Sequence, residues 1–290
     1  MTNAISILTP KDWQDYELID AGNGDKLERF ADYIISRPDP RALWQKQQPQ
    51  DVWDAANASY ERLSDVSGDW EIHRQPPDNW RVTYNHLTLT LKPTAFKHVG
   101  VFPEQAPNWR WIAAKINGKP FNILNLFAYT GAATLAAAAA GAKVTHVDAS
   151  KPSVTWAKEN AAASKLTDKP IRWILDDAYK FVVREARRGV TYDGILMDPP
   201  RFGRGAKGEV WKLEQDLPKL MAACKSILSS HPALLLLNTY TADVSSIAIS
   251  NLVTDIMRDY AGIVESGELT LQDRSGRLLP NGIFARWSAS

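Results

Sequence analysis

Short apolar runs and longer amphipathic stretches alternate regularly through the second part of this chain. Asn122–Phe127 (NILNLF) is a compact apolar run ending in a turn, and the alanine-rich stretch Ala132–Ala140 after it favours a helix. Lys143–Val147 reads as a second strand, followed by a helix over Ser153–Lys165. Ile171–Leu175 reads as a third, followed by a helix through Arg188. Gly194–Met197 is a fourth strand, and after a loop a helix is predicted around Leu213–Leu228. Ala233–Leu237 is a fifth, with a helix over Ser245–Tyr260. Strands alternating with helices predict an α/β fold with a mostly parallel sheet covered on both faces. Ligands of such sheets bind outside the carboxyl ends of the strands.

The first part lacks that rhythm. Trp80–Leu91 is rich in β-branched and aromatic residues and predicts one strand. Glu71–Arg74, with a PPDN turn at Pro76–Asn79, predicts its hairpin partner. Glu28–Ser36 reads as a short helix ending before Pro38. The expected organisation is a β-rich accessory, substrate-recognition region over residues 1–93 and an α/β domain over residues 94–290. Seven of the eleven tryptophans fall in the first 111 residues, where core packing is their default role.

Composition narrows the class. At 290 residues, with 44% hydrophobic and 23% charged, the chain is an ordinary globular protein rather than a fibrous or disordered one. Its net charge is +1, divided as −2 over residues 1–120 and +3 over the rest, so no global basic field points to nucleic acid. Cys224 is the one cysteine, which excludes a disulfide framework and fits a reducing compartment. The start of the chain has no secretory pattern, and no run of about 18 apolar residues occurs. A cytoplasmic location is expected, with no membrane. His73, His86, His98, His146 and His231 show no metal-ligand spacing, so no metal is expected.

Acidic residues recur at the predicted strand tips. Phe127-Ala128-Tyr129-Thr130-Gly131 follows the first strand, and Gly131 either allows a tight turn against a ligand or merely starts the helix. The second strand ends in Asp148-Ala149-Ser150, with Ser150 the expected helix cap and Asp148 placed to accept from two ribose hydroxyls. After the third come Asp176 and Asp177, one suited to capping the next helix and the other to accepting from an exocyclic amine. Asp198-Pro199-Pro200-Arg201-Phe202 ends the fourth. Its prolines hold Asp198 rigidly near an aromatic ring, an arrangement suited to a flat heteroaromatic acceptor.

In succession, FAYTG, VDAS, DDA and DPPRF resemble the motifs of class I S-adenosylmethionine-dependent methyltransferases, and FAYTG and DPP-x-F resemble the branch of large-subunit 23S rRNA methyltransferases. Phe96–Trp109 is similar to that family's pre-motif loop, and Ser275–Trp287 to its last hairpin. Residues 1–93 carry no such resemblance and do not resemble the PUA domain of some relatives. The resemblance implies a Rossmann-like, doubly wound sheet of seven strands, with S-adenosyl-L-methionine as cofactor and RNA, ribosomal RNA first, as substrate. It implies a cofactor site of Lys97, Phe102, Gln105, Asn125, Phe127, Tyr129, Gly131, Asp148, Ala149, Ser150, Asp177, Ala178 and Asp198. It also implies a transfer site of Asp198, Pro199, Pro200 and Phe202.

Cys224 lies on an apolar helical stripe with Leu217, Leu220 and Met221, so it reads as a core residue. In the cytosine-C5 members of the branch a cysteine follows the fifth strand, where this chain has Asn238-Thr239-Tyr240-Thr241. That departure argues against a cysteine nucleophile. Lys180, Arg184, Arg187 and Arg188 form a stripe that reads as a solvated helix face. Arg201, Arg204, Lys207 and Lys212, interspersed with Gly203, Gly205 and Gly208, would form a basic, adaptable loop beside a bulky substrate. A protein or small-molecule acceptor and a nucleotide-binding oxidoreductase remain as alternatives. The oxidoreductase explains the acid after the second strand but not those after the third and fourth.

Overall fold

The computed structural model describes residues 4–62, 68–204, 210–240 and 243–290. In chain order the elements begin with β1 (Ile5–Leu8), β2 (Tyr16–Gly22), β3 (Asp25–Phe30), β4 (Tyr33–Pro38), α1 (Gln50–Asp54), β5 (Ala58–Arg62), β6 (Gly68–Ile72), β7 (Arg81–Tyr84) and β8 (Leu87–Thr90). Next come α2 (Ala106–Ile116), β9 (Asn122–Leu126), α3 (Ala132–Ala139), β10 (Lys143–Asp148), α4 (Lys151–Ala163), β11 (Ile171–Leu175), α5 (Ala178–Arg187) and β12 (Gly194–Met197). The chain continues with β13 (Phe202–Arg204), β14 (Val210–Lys212), α6 (Leu213–Lys225), β15 (Leu234–Thr239), α7 (Ser246–Met257), β16 (Gly262–Gln272) and β17 (Leu278–Ala289).

Two compact units result, and neither is contiguous. One comprises Met1–Leu8, Pro107–Leu269 and Gly282–Ser290; the other comprises Thr9–Ala106 and Thr270–Asn281. The division differs from a boundary at residue 93, because the far end of the β16–β17 hairpin makes its contacts in the second unit. There Arg274 pairs with Glu17 at 2.7 Å, and the Thr9 and Thr270 hydroxyls lie 2.7 Å apart.

The first unit holds an eight-stranded sheet in the order β1-β16-β17-β15-β12-β9-β10-β11. The seven strands of the expected doubly wound sheet are present, and β1 adds an edge strand parallel to β16. β9, β10, β11, β12 and β15 run parallel, and β17 is antiparallel to β15. From β9 the chain winds outward through β10 and β11, then returns to the other side of β9 as β12. The order therefore reverses between β9 and β12, the position where ligands settle in this architecture. Both faces are covered. Phe181, Val182, Leu217, Leu220, Met221, Val253 and Ile256 fill one side, and Ile112, Ile116, Ala137 and Ala138 the other. Side-chain caps start the helices where expected: Ser150 accepts from Ser153 N at 3.3 Å and Asp177 from Lys180 N at 2.9 Å.

The second unit corrects two expectations. Glu28–Ser36 is no helix but part of the β3–β4 hairpin, which turns at Ala31 (φ 53°). Leu27, Phe30 and Tyr33 have helix-like spacing but are buried on paired strands, and Glu28 is buried with them because Arg37 Nε (2.8 Å) and Tyr16 OH (2.9 Å) donate to it. Trp80–Leu91 is not one strand but the β7–β8 hairpin, with Asn85 in the left-handed region at φ 52°. Its predicted partner, β6, pairs with β5 instead.

Two predictions follow from this burial. Cys224 is wholly buried with its Sγ 3.9 Å from Met197 Sδ, so Cys224→Ala should cost about 1 kcal/mol of stability for the small cavity, read from the urea midpoint, without loss of turnover. His146 is also wholly buried, and burial, with Lys158 nearby, pushes its pKa down to about 3. Below about pH 6.5 the unfolded chain takes up a proton at this residue that the folded chain refuses, so His146 alone contributes a loss of about 1.4 kcal/mol of stability per pH unit towards pH 3. In a urea series across that range, His146→Gln should flatten the slope by that one proton.

Candidate active site

The turn after β9 sits at the reversal point and holds three residues with positive φ: Phe127 (54°), Tyr129 (49°) and Gly131 (88°). Only glycine adopts this conformation without cost. At Gly131 the fit is steric as well, since a Cβ there would lie 3.0 Å from Ala157 Cβ. Buried polar groups hold the turn from below. Asn160 Nδ2 donates to Thr130 O at 2.9 Å, Asn125 Nδ2 donates to Thr134 Oγ1 at 2.9 Å, and Thr134 Oγ1 lies 3.0 Å from His146 Nδ1. The hydroxyl of Thr134 thus links the amide of Asn125 to the imidazole of His146.

Asp148, at the tip of β10, joins that turn to the neighbouring helix. Its Oδ2 accepts from Tyr129 N and its Oδ1 from Ser150 N, both at 2.8 Å. Burial raises its pKa, and the two backbone donors pull against that rise. One lone pair on each oxygen is engaged in this way. A carboxylate has about four acceptor sites, which leaves capacity for a pair of hydroxyls.

At the tip of β11 the two adjacent acids divide their work. Asp176 Oδ1 accepts from Asp177 N at 2.9 Å, and its Oδ2 pairs with Arg184. Asp177 caps α5 through Oδ1, which leaves its second oxygen for another donor. The cap and the residue implied for the amine are thus the same side chain, not two.

Asp198 ends β12 half-buried, followed by buried Pro199 and exposed Pro200. The chain then enters the β13–β14 hairpin, where Phe202 is 54% exposed and lies opposite Lys212. Trp211 was not singled out by sequence reasoning. It donates from Nε1 to Pro200 O at 2.7 Å, and its ring lies 5.1 Å from that of Phe127. A lone tryptophan beyond a glycine-rich loop was the available signal.

The strand-tip residues are therefore gathered along one edge of the sheet, with Ala149 exposed and Ala178 buried at the start of α5. Asn125 donates from Nδ2 to Thr134 Oγ1 and supports the turn from inside. Lys97, Phe102 and Gln105 belong to the second unit. There Lys97 Nζ donates to Pro38 O at 2.9 Å and burial draws its pKa down to about 8, Phe102 packs on His98, and Gln105 N donates to Phe102 O at 3.0 Å. Of the basic loop, Gly205, Lys207, Gly208 and the Arg204 side chain lie outside the described residues, as does Thr241. Arg201 is neutralised by Asp243 and lies 3.8 Å from Glu214. In the helical stripe, Arg184 and Arg188 pair with Asp176 and Glu185. Among the described residues no group of His, Cys, Asp and Glu could hold a metal, and no helix is long and apolar enough to cross a membrane.

Acceptors at three successive tips, beside a turn that only glycine completes, fit a nucleoside-bearing cofactor with ribose hydroxyls and an amine to donate. Comparison with known proteins agrees. The chain is 43% identical to a crystal structure of the SAM-dependent methyltransferase from Agrobacterium tumefaciens, with a TM-score of 0.93 over 98% of this chain and 94% of that one. A solved chain from Streptococcus mutans, 18% identical with a TM-score of 0.74 over 96% of this chain and 76% of that one, is alike in fold alone. Two ribosomal RNA large subunit methyltransferases K/L are similar over shorter stretches. The one from Shewanella frigidimarina is 32% identical over 51% of this chain, and the one from Shewanella baltica is 31% identical over 57%. These stretches span only 20% and 24% of those two proteins. The family model for S-adenosylmethionine-dependent methyltransferases matches residues 59–247, and with the strand-tip geometry this establishes that the chain belongs to that family.

Proposed function

We propose that this enzyme methylates a base of RNA, ribosomal RNA in the first instance. The observation that carries this reading is the rigid Asp198-Pro199-Pro200 segment across the reversal point from the Asp148-bound turn, with the Phe202 ring exposed four residues on. The K/L methyltransferases, named for ribosomal RNA, support it.

When bound, S-adenosylmethionine supplies a methyl group made electrophilic by its sulfonium, so the protein's task is orientation. Asp148 accepts from the ribose hydroxyls, and the second oxygen of Asp177 accepts from the adenine amine. The turn from Phe127 to Gly131 would hold the methionine end, flanked by Ala149, Ser150 and Ala178. Asp198 orients the accepting atom, Pro199 and Pro200 keep that carboxylate from swinging away, and Phe202 stacks on the base. Cys224 takes no part, being sealed in the core.

Asp148→Asn should weaken S-adenosylmethionine binding by roughly 1.5–3 kcal/mol, the scale of hydrogen bonds to a charged group, as read by calorimetry. Because burial raises the Asp148 pKa, acidification should begin to weaken the cofactor above the ordinary aspartate range. Unchanged affinity in folded Asp148→Asn would remove this residue from the site. Tritiated methyl transfer to RNA or protein fractions tests the acceptor, and label found only in protein would sink the RNA reading. With RNA, Phe202→Ala should weaken substrate by about 1–3 kcal/mol, the worth of one stacked base, and spare cofactor affinity. Asp198→Ala should instead lower the single-turnover rate more than substrate binding.

A further inference from the structure

The β13–β14 hairpin presents two unlike faces. Directly opposed residues of an antiparallel pair share a face. Phe202 opposes Lys212, and Gly203 opposes Trp211. The face of Phe202 and Lys212 is exposed, whereas Trp211 is half-buried. A Cβ at Gly203 would make only ordinary contacts, with Pro200 Cγ at 3.5 Å and Trp211 Cβ at 3.7 Å, so Pro200 and Trp211 border the same side of the hairpin.

Trp211 makes two contacts at two different strand tips. Its Nε1–H donates to Pro200 O at 2.7 Å, satisfying a carbonyl at the end of a proline pair that cannot extend a ladder. Its ring lies 5.1 Å from Phe127, tilted by 56°. Phe127 has φ 54°, a conformation that a non-glycine residue keeps only where its surroundings enforce it. One side chain thus grips the first residue of the turn after β9 and the last residue of the segment after β12.

We propose that Trp211 is a positioning residue that sets the separation between the cofactor turn and the acceptor segment. Its role rests on the reading of those two tips as the halves of the methyl-transfer site. In-line transfer is sensitive to this distance, because misplacement by about 1 Å can cost a hundredfold in rate. Phe202, on the opposite face, is left to contact substrate.

The test compares wild type with Trp211→Phe, which keeps a ring for Phe127 and loses the N–H, and with Phe127→Leu and the double variant. Hydrogen exchange with and without S-adenosylhomocysteine needs no acceptor. In wild type the ligand should slow exchange both at the turn (128–131) and in the hairpin (202–203, 211–213). In Trp211→Phe the slowing should persist at the turn and vanish from the hairpin. On unmodified 23S ribosomal RNA transcribed in vitro, Trp211→Phe should lower the single-turnover rate roughly fivefold to tenfold, the scale of one lost hydrogen bond, while its Kd for S-adenosylhomocysteine stays within about twofold. The double variant should lose less than the product of the single losses, since both changes break the same bridge. Hairpin slowing retained in Trp211→Phe, or a lower Tm with an unchanged rate, would overturn the proposal. Asp148→Asn run in parallel separates the two readings: if it binds S-adenosylhomocysteine normally, the site assignment fails. If it binds poorly while Trp211→Phe behaves as wild type, only the role of Trp211 fails.

Discussion

Asp148 accepts the amide of Tyr129 on one carboxylate oxygen and the amide of Ser150 on the other, and the rest of the strand-tip geometry depends on that bridge. It joins the turn after β9 to the start of α4, segments that follow two neighbouring parallel strands. Tyr129 sits at a positive φ, so its N–H must be held by a partner to make that conformation worth keeping. Burial penalises the charge and raises the pKa, and the two donors offset only part of that penalty. The same acid therefore stabilises the turn and presents acceptors from it.

Beneath that bridge the support is polar and directional. Asn125, Thr134 and His146 form a hydrogen-bonded chain, and all three are almost wholly buried. An apolar floor would fill the same space without fixing the direction of any group. The chain ties the turn to its neighbours at the cost of a buried histidine held neutral, whose Nε2 has no hydrogen-bond partner among the described residues. Asn160 adds a tie from α4 to Thr130. The glycine at the end of the turn completes the fit, because its φ is 88° and a Cβ there would lie 3.0 Å from Ala157 Cβ.

The acceptor side is built by different means. Its rigidity comes from two prolines and from the indole of Trp211, not from a charged bridge. Basic residues are less available than their number implies, since Arg201, Arg184 and Arg188 all face carboxylates. Aromatic contact and local shape carry more of the weight at this end than a positive field, consistent with a net charge of +1.

Periodicity, capping residues and turn-formers lie within a few residues of one another, so the chain alone determined the alternation from β9 to β15. The caps Ser150 and Asp177 and the placing of Asp148 and Asp198 at strand tips follow from the same local rules. Where two local patterns coincide, only tertiary partners decide. The spacing of Leu27, Phe30 and Tyr33 fits a helix, yet Arg37 and Tyr16 bury Glu28 on a strand. Side-chain direction was equally out of reach: Asn125 turns inward to Thr134, and a single aspartate after β11 serves as cap. A lone tryptophan beyond a glycine-rich loop marks Trp211 in the sequence, but its two partners come from strand tips 84 and 11 residues earlier in the chain, so its contacts do not show there. The units, too, are drawn by contacts between distant segments, which sequence order does not record. Local chemistry is written along the chain, whereas the closing of one tip upon another depends on how the sheet brings them together.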